Sequence, residues 1–420
     1  NVSTSDIIIS AYQPKSRFIT TILEPTSRLS DSLTYDITAW NLMYAYNMDA
    51  YALTERINPS RPYQRLGATV ENKSDVKPYA YIFRYQNLQD VTFLAPLMKN
   101  GVKARCSQKP FVLNEQTFAA GSLIITRQDN EDIFTFDHTI KTLAAEFRRS
   151  AHTARTGFVD QGKDLGSSEL HLLNIPKIAV LFGEQTSSLS SGEIWHFFEQ
   201  QIKFPITQIG SDYFSKVNIR KYDVVIIPEG SYGLFDEQML DKLSTWVQEG
   251  GRLILIGEAL NSFVDKKHFN LKRYATDFEK QEAEKLQRDL LGKDGFPRYE
   301  DTERKQLSGK ISGAIYKIPI DNSHPLAFGM GSFYYTLKNH ERRFAWLSNG
   351  WNVGYLKDTV KPIQGFAGSK ANRALRNSLI LGVEQAGSGQ VVYFVDNPLF
   401  RSFWEDGKML FSNAVFIVGN

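Results

Sequence analysis

Short apolar runs alternate with amphipathic segments along the second half of the chain. Between residues 175 and 264, the runs KIAVLFG, YDVVIIPEG and RLILIG are separated by SGEIWHFFEQQI and DEQMLDKLSTWVQEG. Apolar runs bounded by turn residues predict buried strands, and apolar residues at helical spacing predict amphipathic helices. Strands that alternate with helices form a parallel sheet covered on both faces. The pattern therefore predicts an α/β domain with a mostly parallel sheet and helices on both faces.

The preceding part of the chain predicts a smaller α/β unit. YAYIFRY, VKARC and GSLIITR have the apolar content of strands, and NLQDVTFLAPLMKNG and DHTIKTLAAEFRR have helical spacing. Gly101 is suited to end the first of these helices. Residues 156–174 are rich in Gly and Ser and have no period, which predicts a linker or a functional loop.

The leading residues predict strands and one short helix. DIIIS and RFITTILEP are β-rich, and Pro25 is placed to end the second strand. Thr34 or Asp36 is suited to cap a helix within TYDITAWNLMYAY.

These patterns predict three parts of the chain. Residues 1–66 form a leading strand and helix segment, residues 67–174 a small α/β domain, and residues 175–420 a larger domain. Within the larger domain, residues 265–310 carry alternating charges at helical spacing. Such spacing predicts an inserted helix with a solvated face, which could also cover an edge of the sheet.

Composition excludes several classes of protein. The 49 basic and 46 acidic residues among 420 leave no basic excess for nucleic acid, so no nucleic-acid partner is expected. Cys106 is the only cysteine, which excludes an internal disulfide and a cysteine-based zinc site. No apolar run approaches the ~18 residues of a membrane helix, so no membrane span is expected. Because Asn1 is not followed by a signal-like apolar region, we expect a mature or excised piece whose upstream segment has been removed.

The stretch GGRLILIGEALNSF has the outline of a nucleophile elbow, in which a strand turns sharply into a helix. Such elbows read G-x-nucleophile-x-G, because glycine lets the backbone turn tightly around the reactive residue. Here the corresponding residues are Gly257-Glu258-Ala259-Leu260-Asn261. Ala259 therefore stands where a nucleophile is expected, which makes the elbow vestigial.

The segment YDVVIIPEGSYG is followed by a predicted helix and then by the elbow strand. In this order of elements, residues 175–420 resemble the class I glutamine amidotransferase-like fold, a flavodoxin-like arrangement. In that family the elbow carries cysteine, and a His-Pro-Glu motif supplies the base and its orienting carboxylate. This chain has Ala259 and the sequence His324-Pro325-Leu326 instead. A methyl group cannot attack a carbonyl and leucine cannot orient an imidazole, so amidotransferase chemistry is excluded.

A longer resemblance covers nearly the whole chain. The stretches that carry it are YQPKSRFITTILEPTSRLSDSLTYDITAWNL, SHPLAFGMGSFYYTLK, GWNVGYL and DNPLFRSFWEDGKMLFSNAVF. With these stretches the sequence is similar to the C-terminal part of large bacterial, usually secreted, zinc carboxypeptidases of the carboxypeptidase A type. The resemblance implies a periplasmic or extracellular location and a metallopeptidase domain upstream of this chain. Zinc is then expected only in that upstream domain, and this chain is expected to hold no cofactor.

One segment imitates the zinc motif of that family. His196-Phe197-Phe198-Glu199 matches His-x-x-Glu, and His324 follows at a comparable distance. Two imidazoles and a carboxylate could hold a catalytic zinc ion. However, His196 and Glu199 lie within a predicted helix between two sheet strands, whereas the family's motif lies in a loop after a strand. We therefore expect His196 and Glu199 to be helix-surface residues and treat the motif as a decoy.

Polar residues follow several predicted strands and mark a candidate binding crevice. In open α/β sheets, ligands bind outside the carboxyl ends of the strands. Asp396, Asn397, Arg401 and Trp404 come just after the strand QVVYFVD and form the best candidate wall, in which Arg401 could instead pair with Glu258 or Asp396 as structural support. Two further strand ends add other crevice candidates, which are Glu229, Ser231 and Glu258.

Two functions from different classes follow from these features. The first is a non-catalytic accessory region of a carboxypeptidase-like protein, which supports the upstream peptidase domain or recruits a peptide or cell-wall-derived ligand. The alternative is an unconventional hydrolase that uses Glu258, Glu229 and His324 for general acid–base chemistry at the crevice. Zinc bound by His196, Glu199 and His324 is a third hypothesis.

Overall fold

The computed structural model describes residue 3, residues 6–27, 39–64, 77–274, residue 284 and residues 306–419. Predictions that concern Thr34, Asp36 and most of the 265–310 insertion lie outside these residues. Within them, no helix is long and apolar enough to cross a membrane.

The described part of the leading segment contains two short helices. Helix α1 (Ser16–Ile22) occupies the stretch predicted as the strand RFITTILEP, and that prediction was wrong. No residue of α1 is buried, and no described strand pairs with it. Without a partner strand, the backbone satisfies its hydrogen bonds locally in a helix despite the β-rich composition. Helix α2 (Leu42–Ala45) begins at Asn41, whose side chain accepts a hydrogen bond of 2.7 Å from the Met43 amide.

The small α/β unit is built on an antiparallel sheet. Its strands are β1 (Ala80–Phe83), β2 (Arg105–Ser107), β3 (Phe111–Leu113), β4 (Gln116–Phe118), β5 (Leu123–Thr126), β6 (His152–Ala154) and β7 (Leu170–Leu172). Five of them form the sheet in the order β6-β1-β5-β2-β7, and β3 and β4 form a separate pair. Helices α3 (Leu88–Lys99) and α4 (Phe136–Glu146) confirm the two predicted helices. The Gly- and Ser-rich stretch contains β7, which its composition did not predict.

Helix α3 shows how local sequence sets its ends. Asn87 and Asp90 form a reciprocal capping box at its start, which satisfies amides that the first turn leaves unpaired. Just beyond its end, Gly101 has a φ of +73°, a left-handed conformation that glycine adopts at low cost. The predicted stop at Gly101 is therefore confirmed.

The larger domain contains a seven-stranded sheet with the order β14-β16-β17-β11-β10-β8-β9. The strands are β8 (Ile178–Phe182), β9 (Thr207–Gly210), β10 (Val224–Ile227), β11 (Arg252–Ile256), β14 (Trp351–Tyr355), β16 (Leu379–Ala386) and β17 (Gly389–Phe394). Five neighbouring strands, β9, β8, β10, β11 and β17, run parallel to one another. Strand β16 pairs antiparallel with β17, and β14 pairs antiparallel with β16. Helices α5 (Ser188–His196) and α6 (Glu237–Gln248) cover the sheet. The predicted α/β class with a mostly parallel sheet is confirmed.

The last third of the chain joins the two units. Strands β12 (Ile311–Pro319), β13 (Phe333–Lys338) and β15 (Gln364–Ala367) form a three-stranded antiparallel sheet. Helix α7 (Ser369–Ala374) follows β15, and helix α8 (Glu405–Phe416) ends the chain. In α8, every residue from Gly407 to Phe416 is buried. This central helix contacts both units, because Tyr85 of the small unit donates a hydrogen bond of 3.0 Å to Asn413.

A buried arginine holds the end of α8 against the large sheet. The guanidinium of Arg252 on β11 donates hydrogen bonds to the carbonyls of Ala414 and Val415 in the last turn. Carbonyls in the last turn of a helix lack intrahelical partners, and a cation there is favoured by the helix dipole. The contact fixes α8 relative to the strands whose ends form the candidate site.

Candidate functional site

Polar side chains gather outside the carboxyl ends of β10, β11 and β17, and we call this place the edge crevice. Glu229 follows β10, Gly257 and Glu258 follow β11, and Asp396 and Asn397 follow β17. The carboxyl ends of neighbouring parallel strands meet at one edge of a sheet, which brings these residues together. Helix α5 and the segment after β13 contribute the remaining side chains of the edge crevice.

The sharp bend after β11 falls at Gly257 rather than at Ala259. Gly257 has a φ of +57°, the left-handed conformation that glycine tolerates best. A 3-10 turn starts at once and runs from Gly257 to Ser262, so Ala259 lies inside it with no exposed surface. The position that a nucleophile would take at the bend is therefore occupied by glycine, two residues before the one indicated by the sequence motif.

The carboxylate of Glu229 fills the space beside that bend. A Cβ atom built on Gly257 would lie 2.1 Å from Oε1 of Glu229. The backbone of Glu229 is fixed, because its amide donates to Ser190 Oγ at 3.1 Å and its carbonyl accepts from Ser187 N at 2.7 Å. Its side chain receives a hydrogen bond of 3.0 Å from Nη2 of Arg342. A side chain at the bend and the observed position of Glu229 are mutually exclusive.

A second carboxylate, Glu193 of α5, is linked to Glu229 by one amide. Nδ2 of Asn397 lies 2.7 Å from Oε2 of Glu193 and 3.3 Å from Oε2 of Glu229. The other oxygen of Glu193 accepts a hydrogen bond of 2.6 Å from the amide of Arg401. Burial raises the pKa of Glu193 to about 7 and also raises the pKa of Glu229, which Arg342 partly opposes. Both carboxylates therefore resist ionisation, and Asn397 holds them in one network.

A fully buried ion pair lies beneath this network. Lys338 Nζ is 2.8 Å from Oδ1 of Asp396, and Thr336 donates a hydrogen bond of 2.6 Å to Oδ2. His340 approaches the same carboxylate, with Nε2 3.1 Å from Oδ1. Burial and the charge of Lys338 lower the pKa of His340 to about 3, so its imidazole is neutral near pH 7. Burial alone would raise the pKa of Asp396, but Lys338 and His340 hold this pKa well below its usual range.

Replacing Glu193 with Gln is expected to change how stability depends on pH. Because its pKa is raised to about 7 in the folded state, Glu193 binds a proton there that it loses in the unfolded state above pH ~4.3. Its contribution to stability is therefore present at low pH and is lost as the pH rises through 7. As the pH rises from 4.5 to 7.5, the free energy of unfolding of Glu193→Gln should increase by on the order of 1–3 kcal/mol relative to that of wild type.

Urea unfolding at several pH values measures this difference. The matched control is Glu199→Gln, which changes an exposed residue a few positions along the same helical segment. Because surface substitutions change stability little, Glu199→Gln should keep a free energy of unfolding close to that of wild type. If the free energies of unfolding of Glu193→Gln and wild type differ by the same amount at every pH, the buried state of Glu193 described above is contradicted.

The other predicted wall residues have different roles. Trp404 has no exposed surface, and its indole donates a hydrogen bond of 2.9 Å to the Tyr335 carbonyl. It is a core residue, because α8 packs its first turn against β13. The guanidinium of Arg401 lies over the ring of Phe400 at 5.3 Å, and its positive charge acts to lower the pKa of Glu193. Ser231 and Glu258 are exposed at the rim.

His324 is not part of the edge crevice. Its Nδ1 accepts a hydrogen bond from Leu326 N at 3.1 Å, and its ring packs against Trp351 with centroids 5.3 Å apart. Trp351 is on β14, three strands from β11, which at ~4.8 Å per strand is about 14 Å away. Burial lowers the pKa of His324 to about 4. The hypothesis that combined His324 with Glu229 and Glu258 is therefore corrected: the histidine at this edge of the sheet is His340, beside Asp396.

The zinc-like motif does not converge on one point. His196 ends α5 and Glu199 lies in the π-helical turn Phe197–Gln201, and both side chains are exposed. His324 is buried against β14 at the opposite edge of the sheet from the α5 side. Among the described residues, no group of three or more His, Cys, Asp or Glu side chains could hold a metal ion.

Sequence reasoning missed three members of the site, namely Glu193, His340 and Arg342. A signal for Glu193 exists, because it lies on the same helical stripe as Ser190, Ile194 and Phe197, all of which are buried. A carboxylate on the buried stripe of an amphipathic helix needs a polar partner. His340 and Arg342 follow β13, which belongs to a different sheet, and nothing in their local sequence indicates that they approach β10.

The chemistry available at the edge crevice is limited to acid–base groups and hydrogen bonds. Among the described residues, its inner side chains are the two carboxylates, the Asn397 amide and the Arg342 guanidinium, with Ser231 exposed at the rim. Both oxygens of Glu193 already accept hydrogen bonds, and Glu229 is held by Arg342. No described serine or cysteine stands beside a histidine there, which covalent catalysis of the elbow type requires.

Comparisons with known proteins give only distant similarities. No family model matches the chain, and no curated protein is significantly similar in sequence. A ThuA-like protein from Bacteroides uniformis is 11% identical with a TM-score of 0.36, covering 57% of this chain and 89% of its own length. A glutamine amidotransferase from Thermotoga maritima is 9% identical with a TM-score of 0.33, and the match covers 58% of this chain and 97% of that protein. A β-galactosidase from Bacillus circulans is 10% identical with a TM-score of 0.29, and the match spans 56% of this chain but 30% of that enzyme. At these identities, function has to be inferred from the residues of this chain.

Proposed function

We propose that this chain is a non-catalytic accessory region of a secreted zinc carboxypeptidase-like protein. In this role it supports a peptidase domain elsewhere in the same polypeptide or recruits the peptide substrate of that domain. The four sequence stretches that resemble such proteins support the association. Zinc and peptide-bond chemistry then belong to the peptidase domain, and this chain contributes binding.

The observation that carries the non-catalytic assignment is the position of Glu229. Its carboxylate lies where a side chain at the Gly257 bend would have to stand, with 2.1 Å between Oε1 and a Cβ at that residue. Arg342, Ser187 and Ser190 hold Glu229 in this position. The site thus combines a bend of the elbow type with a carboxyl group that leaves no room for a side chain at Gly257. This arrangement favours binding over turnover.

The proposal predicts that the chain alone has no hydrolase, amidase or glutaminase activity. Glutamine, peptide and ester substrates should all give rates equal to the buffer rate at pH 5–8, and Glu229→Gln should give the same rates. The pH range matters because an acid–base pair of Glu193 and Glu229 would be most effective near the pKa of about 7 of Glu193. Rates are measured by product formation over hours at high protein concentration.

Turnover that exceeds the buffer rate and disappears in Glu229→Gln would overturn the proposal in favour of an unconventional carboxylate hydrolase. The melting temperature of the variant must stay close to that of wild type for this result to count. The association with a peptidase is tested separately, by sequencing the natural reading frame upstream of Asn1. A complete His-x-x-Glu and distant-His peptidase domain there supports it, and a different domain contradicts it.

A further inference from the structure

A cleft separate from the edge crevice opens between α5 and the outer strands β8 and β9. It has a volume of about 330 Å³ and lies along the side of α5 that faces the free edge of the sheet. Its floor is formed by Val180, Phe182 and Ile206, and the Gly183–Thr186 loop closes one end. Ligand pockets in proteins start at roughly 300 Å³, so the cleft is large enough for a small ring.

One stripe of α5 forms the wall of the cleft. Ser188, Ser191, Gly192 and Trp195 are spaced three and four residues apart and therefore share one face of the helix. A Cβ atom on Gly192 would meet nothing within 4 Å, so the absence of a side chain there keeps the cleft open. The ring of Trp195 is 50% exposed, although tryptophan usually buries most of its surface.

The chemistry of the lining is apolar with neutral polar groups. None of the described residues that line the cleft is charged, and its polar side chains are Thr186, Ser188, Ser191 and Gln208. Thr186 and Ser191 donate their hydroxyl hydrogens to backbone carbonyls of Gly183 and Ser187, which leaves their oxygens free to accept. Burying an ionised group without a partner is costly, so the lining disfavours charged ligands.

We propose that this cleft binds a neutral pyranose ring of an oligosaccharide, with the sugar stacked on Trp195. A pyranose has an apolar face that matches an exposed aromatic ring, and hydroxyl groups around its rim that match the serine, threonine and glutamine side chains. An aromatic ring with neutral polar neighbours provides both kinds of contact in one site.

A peptide bound along the free edge of β9 is the competing occupant, and the structure disfavours it. Strand β9 has only four residues, Thr207–Gly210, and pairs on its inner side with β8. In a parallel strand only alternate residues point their backbone N–H and C=O groups toward the free edge of the sheet. Strand β9 therefore offers few backbone groups to an added strand. One of them, the Gly210 carbonyl, already accepts a hydrogen bond from Tyr213. Peptide addition to a sheet edge depends on such backbone bonds for its affinity.

The binding experiment uses the whole chain with chitotriose, cellotriose and maltotriose as probes. Isothermal titration calorimetry at up to about 10 mM sugar covers the millimolar affinities expected of a small cleft. At least one of these trisaccharides is expected to bind. Trp195→Ala should weaken that binding about tenfold by removing the stacking surface. Gly192→Leu should abolish it by filling the cleft, and leucine is a better helix former than glycine at this position.

The matched control is Leu189→Ala, which removes another exposed apolar side chain of α5 that does not line the cleft. This variant should bind sugar as wild type does. Any of three results would overturn the proposal. The first is that none of the trisaccharides binds to wild type, and the second is that Trp195→Ala and Gly192→Leu bind sugar as tightly as wild type does. The third is that a capped alanine tripeptide binds in place of sugar. Because the edge crevice is not altered, none of these outcomes bears on the non-catalytic assignment.

Discussion

Replacing Asp396 with Ala should lower the free energy of unfolding by about 3–5 kcal/mol, because it leaves a buried cation without its partner. Lys338 has no exposed surface, and its ammonium group is 2.8 Å from the Asp396 carboxylate. Thr336 would also lose its hydrogen-bond acceptor. Urea unfolding at pH 7 measures the change, with far-UV circular dichroism to confirm that the variant folds.

An exposed ion pair provides the control for this prediction. Arg220 and Glu249 form a salt bridge whose side chains are 65% and 47% exposed. Exposed pairs contribute little, so Glu249→Ala should leave the free energy of unfolding nearly unchanged. Equal effects of the two substitutions would contradict the description of Asp396 as the anchor of a buried network. Because the pKa of Asp396 is held low, its contribution should also persist at neutral pH and be lost only as the pH falls below about 4.

Replacing Gly257 with Ala should cost about 3 kcal/mol or more, from two separate causes. A left-handed conformation costs a residue with a Cβ about 1–2 kcal/mol. In addition, the new methyl group would lie 2.1 Å from Oε1 of Glu229 and would force that carboxylate away from Arg342. Overpacking of this kind costs about another 1–3 kcal/mol. Denaturant unfolding measures the total.

Gly101→Ala separates these two causes. Gly101 has a φ of +73°, close to that of Gly257, but a Cβ on Gly101 would meet nothing within 4 Å. Its replacement should therefore show only the backbone cost of about 1–2 kcal/mol. If Gly257→Ala costs no more than Gly101→Ala, the close approach of Glu229 to the bend is contradicted.

Local patterns predicted the strands and helices that have a regular period. The strands β8 and β10 are fully apolar runs, and β11 is apolar after Arg252. Helices α3 and α6 have helical spacing with caps at Asn87 and Asp236, so local sequence and tertiary packing agree there. The stretch RFITTILEP failed because no described strand pairs with it, and β propensity depends on packing against a partner strand. The β3–β4 pair and β7 are too short to carry a period.

The candidate site was predicted only as far as strand order allows. Glu229, Asp396 and Asn397 could be placed at one edge because each follows a strand of the same parallel sheet. Arg342 and His340 could not, because they reach the edge crevice from β13 of another sheet through long-range packing. The bend was placed two residues late because a motif specifies spacing, whereas the position of positive φ depends on where the strand ends.

The most direct test of the central claim is a double-variant cycle on Glu229 and Gly257. The claim is that the Glu229 carboxylate occupies the place of a nucleophile at the bend. In a Glu229→Ala background, Gly257→Ala should cost only the ~1–2 kcal/mol of its backbone conformation, well below its cost in wild type. An identical cost of Gly257→Ala in both backgrounds, measured by urea unfolding, would show that the two residues do not compete for this space and would contradict the account.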